Sequence, residues 1–141
     1  MRIATEEDIP ELLEMAMELL AVAEYQDYLD EQSIENLLRN LITSSPKEKI
    51  VLIKPGVGFI AGISLPFHFG PHLLATELGW WVKPEYQQTG EGLALLEAFE
   101  YWAKNIAECK LITTASLDKK VEKSYRKKGY KLFERAYMKE L

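Results

Sequence analysis

Apolar residues recur at three- and four-residue steps in three stretches, and each predicts an amphipathic helix. Ile9, Leu12, Leu13, Ala16, Leu19, Leu20 and Ala23 form the first stripe. Asp8 stands as N-cap, Pro10 lies in the first turn and Glu11 closes a capping box. Ile34, Leu37, Leu38, Leu41 and Ile42 define a second helix over 31–43, broken at Ser44-Ser45-Pro46. Leu93, Leu96, Phe99, Trp102, Ala103 and Ile106 define a third. Strands occupy the remaining apolar runs: Arg2 to Ala4, Ile50 to Ile53, Gly58 to Leu65, a central run from Glu77 to Val82, and Lys110 to Ala115. A turn at Pro55-Gly56 makes 50–65 a hairpin. A final helix spans Asp118 to Lys127, ended by Gly129 as C-cap, and Tyr130 to Lys139 reads as a last strand. This pattern describes one α+β domain over 1–141, a mixed sheet with helices on both faces.

The central strand, the third helix and the strand at 110–115 form a β-α-β unit, which requires parallel pairing through a right-handed crossover. Pro84 cannot donate to a ladder and ends the central strand. Between it and the helix runs Glu85-Tyr86-Gln87-Gln88-Thr89-Gly90-Glu91-Gly92. Its two glycines permit a tight turn with bare N–H groups, and the helix they open brings its positive end to the loop, an arrangement suited to phosphate. A dinucleotide fingerprint would need glycine at 95, where leucine stands, and the Gly-Lys-Ser/Thr of a P-loop is absent.

Charge separates along the chain. Net charge is −5, which argues against nucleic acid as main partner. Eleven acids lie between Glu6 and Glu35, whereas Lys119, Lys120, Lys123, Arg126, Lys127, Lys128, Lys131 and Arg135 crowd the end. Such asymmetry fits an anionic ligand near the last helix and a cationic one near the first two, although solvated helix faces account for most of these residues equally well. No apolar run approaches the roughly 20 residues of a membrane span. A single cysteine, Cys109, with no secretory leader at Met1-Arg2-Ile3, fits a cytoplasmic protein. His68 and His72, four apart without a carboxylate or cysteine partner, do not make a metal site.

Gln87-Gln88-Thr89-Gly90-Glu91-Gly92 after Val82-Lys83-Pro84 resembles the Gln/Arg-x-x-Gly-x-Gly/Ala acetyl-CoA signature of the GNAT superfamily of N-acetyltransferases. Tyr125-Arg126-Lys127-Lys128-Gly129-Tyr130 is similar to the family's Tyr-x-x-x-Gly-Phe/Tyr, and the element order matches over the whole length. Glu-Leu-x-Trp-Trp-Val at 77–82 and the ending Tyr137 to Leu141 look like a small phage and prophage group. The resemblance implies a GNAT fold with a mostly antiparallel sheet. It also implies that acetyl-CoA is held by Gln87, Gln88, Thr89, Gly90, Glu91, Gly92 and Leu93, its pantetheine arm along Trp80, Trp81 and Val82. Asp118, often asparagine in the family, and Tyr125 would complete that set. Two departures stand out: Asp118 itself, and the carboxylate of Glu91 inside a phosphate loop.

Acetylating a lysine-like amine at pH 7 requires a deprotonation costing about 4.6 kcal/mol. Glu77 is the candidate base, directly or through a water chain, since burial at the strand's edge would raise its pKa. The alternative is a strand cap or a partner for lysine. Tyr125 is the candidate acid toward the leaving sulfur, or a hydrogen-bonding group there, or a packing residue. The Val82 N–H would polarise the carbonyl, provided the central strand splays from 110–115, as the resemblance implies. Plain alternation puts Glu77, Gly79 and Trp81 on one face and Leu78, Trp80 and Val82 on the other, and a bulge would change that parity. The acceptor is a small-molecule or protein amine, cationic if Glu24, Asp27, Asp30 and Glu31 face it; a homodimer is compatible. The rival expectation is a GNAT-fold protein that binds CoA or a partner without turnover.

Overall fold

The computed structural model describes residues 1–116 and 119–141. Five strands form one sheet in sequence order: β1 (Arg2–Ile3), β2 (Lys49–Lys54), β3 (Gly58–Pro66), β4 (Leu73–Val82) and β5 (Leu111–Thr113). The first three junctions are antiparallel, and β4 pairs with β5 in parallel. On one face lie α1 (Ile9–Leu20) and α2 (Glu31–Thr43), burying Leu12, Met15, Leu38 and Leu41 against Val51, Ile53 and Phe59. The opposite face is covered by α3 (Glu91–Asn105) and α4 (Lys119–Lys127), where Leu95, Leu96, Phe99, Trp102 and Tyr125 meet Ile50, Ile60 and Ala75. Each helix buries one stripe, so the mixed α+β sandwich follows from the apolar periodicity. Among the described residues, no helix is long and apolar enough to cross a membrane.

Three expectations need correction. Asp8 does not cap α1 with its side chain, and Glu11 closes no box there. Asp8 instead takes two bonds from Arg2, at 2.6 and 2.8 Å, and one from the Thr5 amide at 2.7 Å. A charged partner six residues back, together with the Thr5 amide, draws the carboxylate away from the first-turn amides of α1. The stretch from Tyr130 to Lys139 is not a strand. Gly129 turns the chain at φ 90°, Tyr130 N–H returns to Tyr125 O, and beyond it Leu132, Phe133, Tyr137 and Met138 are exposed. β-propensity describes fit to a neighbouring strand, and this segment pairs with none among the described residues. The predicted final helix begins at Asp118, which lies outside the described residues.

The third correction positions the site. In the β3–β4 register Ala61 faces Gly79 and Gly62 faces Glu77, so Leu78 is an extra residue. This bulge reverses the side-chain parity on its N-terminal side. Gly79 therefore lies toward α1, near Leu19 and Phe59, and Trp81 follows it. Glu77 lies toward α3 with Ala75, Trp80 and Val82, the reverse of plain alternation. Gly62 has no alternative here: a Cβ would sit 2.5 Å from the Phe99 ring and 2.7 Å from Thr76 O.

Candidate active site

β4 and β5 pair only at Leu74–Leu111, Ala75–Ile112 and Thr76–Thr113. Beyond Thr76, β4 runs on to Val82 along an edge that no strand among the described residues covers. The direction of its amides follows from the β3 ladder. Lys83 N–H donates to Val57 O at 2.8 Å, so the Val82 amide, one residue earlier, points to the open edge, as does that of Trp80. Val82 O accepts Gln87 Nε2 at 2.9 Å from that side. Gln87 thus ties the loop to the strand exit.

The loop itself is built to present donors. Gln88 and Gly90 both have positive φ, 64° and 91°, a backbone that bends the loop sharply into the start of α3. No Cβ neighbour lies within 4 Å of Gly90, so its conformation rather than its space calls for glycine. Gly92 faces Trp80 and Val82, whose side chains a Cβ would touch at 3.4 Å. The Thr89 hydroxyl donates to Tyr86 O. Glu91, the unwelcome carboxylate, is held by Lys54 Nζ at 2.6 and 2.7 Å to its two oxygens. Its charge is therefore countered within the protein. Leu93 is exposed on the first turn of α3.

Glu77 stands where β4 and β5 part. Its Oε2 receives the Ala115 amide at 3.4 Å, a long and weak bond across the fork. The residue keeps some surface, but protein crowds its carboxyl, and burial pushes its pKa up to about 7, with the Ala115 amide pulling the other way. Tyr125, buried on α4, has its hydroxyl pushed up to about 12 by burial first and by the charge of Glu77 second. Its ring lies 5.9 Å from Trp80 and 5.4 Å from Tyr130. Among the described residues, Trp80 Nε1 and Tyr130 Oη are buried without a hydrogen-bond partner, and Tyr125 Oη has Thr114 as its one polar neighbour, at a geometry short of a full hydrogen bond. Buried polar atoms left unpaired are rare and mark a place for a polar guest.

The structure brings together Glu77, Tyr125, Trp80 and Val82 on the α3 side, and Gln87 to Leu93 at the end of the same edge. Trp81 is turned away: its indole N–H donates to Glu18 Oε2 at 2.8 Å on the α1 face. Asp118 lies outside the described residues. Arg126 is engaged by Glu122 at 2.9 Å, and His68 and His72 sit in the β3–β4 turn. Cys109 is buried beside Ser64 Oγ at 3.3 Å. Sequence reasoning missed Lys54, 37 residues from its partner, and nothing local could reveal it. Tyr130, two residues beyond the basic run 126–128, was legible only as the end of a motif.

The family model described as "Acetyltransferase (GNAT) family" matches residues 11–130. No curated protein matches the chain. Among solved structures, a Trypanosoma brucei acetyltransferase aligns with TM-score 0.72 and 21% identity over 99% of this chain and 97% of its own. An aminoglycoside N-acetyltransferase, AAC(6')-Iy, in complex with CoA aligns with TM-score 0.76 and 13% identity over 99% and 92%. A Bacillus halodurans protein described as a transcriptional regulator aligns equally well, with TM-score 0.76 and 20% identity over 99% and 97%. At such identities these likenesses bear on the fold alone.

Proposed function

The chain belongs to the GNAT acetyltransferase family, and from that premise we infer that it carries an acetyl group from acetyl-CoA to a primary amine by direct attack. One observation carries the inference: beyond Thr76 the edge of β4 is left uncovered among the described residues, and it runs from the crowded carboxyl of Glu77 to the Gly90 loop that opens α3. The loop amides of 88–92 and the positive end of α3 suit a diphosphate, and the Trp80 and Val82 amides suit a linear amide chain. Trp80 Nε1, unpartnered and beside Gly92, supplies a further donor. When bound, the donor supplies an activated acyl group with a thiolate to expel.

The chain's own residues then have defined work. Glu77, with a pKa near neutrality, is poised to accept a proton from an incoming ammonium. Val82 N–H, aimed off the open edge, is placed to stabilise a developing oxyanion. Tyr125 offers its hydroxyl toward the leaving sulfur. For the acceptor, the α1–α2 connection presents exposed Glu24, Asp27, Asp30 and Glu31, which favours a cationic amine of the polyamine or aminoglycoside kind. Asp30 caps α2 through Ser33 N at 3.0 Å, so the acceptor role rests on the other three. The buried single thiol agrees with a cytoplasmic setting, and the 77–82 strand supports placement with phage-type members.

Release of free thiol from acetyl-CoA over a panel of polyamines and aminoglycosides tests this reading. Turnover that falls strongly in Glu77→Gln or Tyr125→Phe is expected; no release with any amine would remove the catalytic reading. The second reading, a binder without turnover, is favoured by Gln87 occupying Val82 O. It predicts a thermal shift with CoA and no thiol release.

A further inference from the structure

The segment after α4 has the composition of a strand and none of its bonds. Among the described residues, no backbone N–H or C=O from Lys131 to Leu141 bonds to other backbone. Along an extended chain Leu132 and Met138 project to one side and Phe133 and Tyr137 to the other, so both faces are apolar. A strand of that kind belongs where it is covered on both sides. Here Leu132 is 61% exposed, Phe133 62%, Tyr137 90% and Met138 77%. At about 200 Å² for a large side chain, roughly 600 Å² of apolar surface stands in water on this one segment, the upper end of what a monomer shows. A matching edge lies at the side of the sheet. β5 is the last strand, pairs with β4 alone among the described residues, and carries exposed Leu111. A free edge of this sort is a template for a further strand. Within one copy the two do not pair: Gly129 turns the chain at φ 90°, Tyr130 N–H returns to Tyr125 O, and the tail leaves from there.

We propose that two copies of this chain exchange tails, each laying residues 131–141 as an added strand along the outer edge of the partner's β5. Exchange of an identical element closes a symmetric pair, so both edges and both tails are satisfied at once. Each tail buries its exposed apolar side chains and covers a similar area beneath it. Two such seats remove roughly 2,400 Å² from water, above the ~1,200 Å² at which specific interfaces begin. A second copy is the occupant because the area suffices for a stable pair and because edge and tail occur together in every copy.

Sedimentation equilibrium of the full chain from about 1 to 100 μM reads the oligomeric state, and a dimer is expected, with a Tm that rises with concentration. Tyr137→Glu/Met138→Glu puts charge where a single copy is open to water. The isolated fold should therefore keep its far-UV circular dichroism, while the dimer Kd rises about 100-fold or more. Hydrogen exchange in the wild type locates the seat: the tail amides, and the β5 amides that face away from β4, should exchange slowly in the dimer and fast on dilution to monomer. A wild-type monomer throughout this range would overturn the proposal, as would a dimer indifferent to the double variant. So would a dimer whose β5 and tail amides exchange no more slowly than those of the monomer. A monomer that instead sediments with phosphatidylserine vesicles would give the tail to a membrane surface and overturn the exchange as well. None of these results bears on the acetyltransferase reading, which stands or falls on thiol release.

Discussion

Replacing Glu77 by glutamine should stabilise the protein in alkaline solution and leave it unchanged in acid. The carboxyl's pKa lies at about 7 in the folded chain against an ordinary 4.5, because burial disfavours the charged form. Below pH 4.5 it is neutral whether the chain is folded or not, and contributes nothing. Between 4.5 and 7 the unfolded chain loses this proton while the folded one keeps it, so the folded state binds more protons and stability falls as pH rises. Above 7 the penalty is complete and constant. A displacement of about 2.5 at 1.36 kcal/mol each corresponds to about 3 kcal/mol, an upper figure for a residue with some surface still open. Glutamine mimics the neutral acid and still accepts the Ala115 amide, so it escapes the penalty. Urea unfolding of both proteins from pH 4.5 to 8.5 reads the difference directly. The glutamine variant should gain about 1–3 kcal/mol by pH 8, up to the order of 10 °C in Tm. A difference that is flat across this range, or that grows toward acid, would show that Glu77 is not desolvated as described. That the same change should impair acetyl transfer makes the residue a case of stability given up for chemistry.

Other outcomes follow from the same geometry. Gly62→Ala drives a Cβ into Phe99 and Thr76 O and should cost about 1–3 kcal/mol in urea unfolding, since neither neighbour is free to yield. Gly90→Ala leaves packing alone but strains a left-handed residue by about 1–2 kcal/mol, and the acetyl-CoA KM should rise with it. Lys54→Met frees the Glu91 carboxylate beside the loop, so acetyl-CoA KM should increase severalfold at low salt and recover in high salt. An unchanged KM would mean that Glu91 does not face the phosphates. Neutralising Glu24, Asp27 and Glu31 together should raise acceptor KM without altering that for acetyl-CoA; no change would dissociate the acidic segment from the acceptor.

Local pattern alone determined much of this molecule. The periods of 3.6 and 2, the Pro84 stop and the Gly90–Gly92 loop are properties of adjacent residues, and they placed α1, α2, α3 and the hairpin within a few positions. Family membership also lay within reach, because its two motifs are short and contiguous. What only the folded chain decided was orientation. The extra residue Leu78 is invisible in a run that alternates well, and it alone turns Glu77 toward Tyr125 and Trp81 toward Glu18. The pairing of Lys54 with Glu91 joins residues 37 apart that no local window connects, and the capture of Asp8 by Arg2, though only six residues apart, depends on how the first strand lies against the turn before α1. A strand-like tail stayed unpaired for the same reason: hydrogen-bonded neighbours are supplied by tertiary contact, and sequence period describes only the faces that await them.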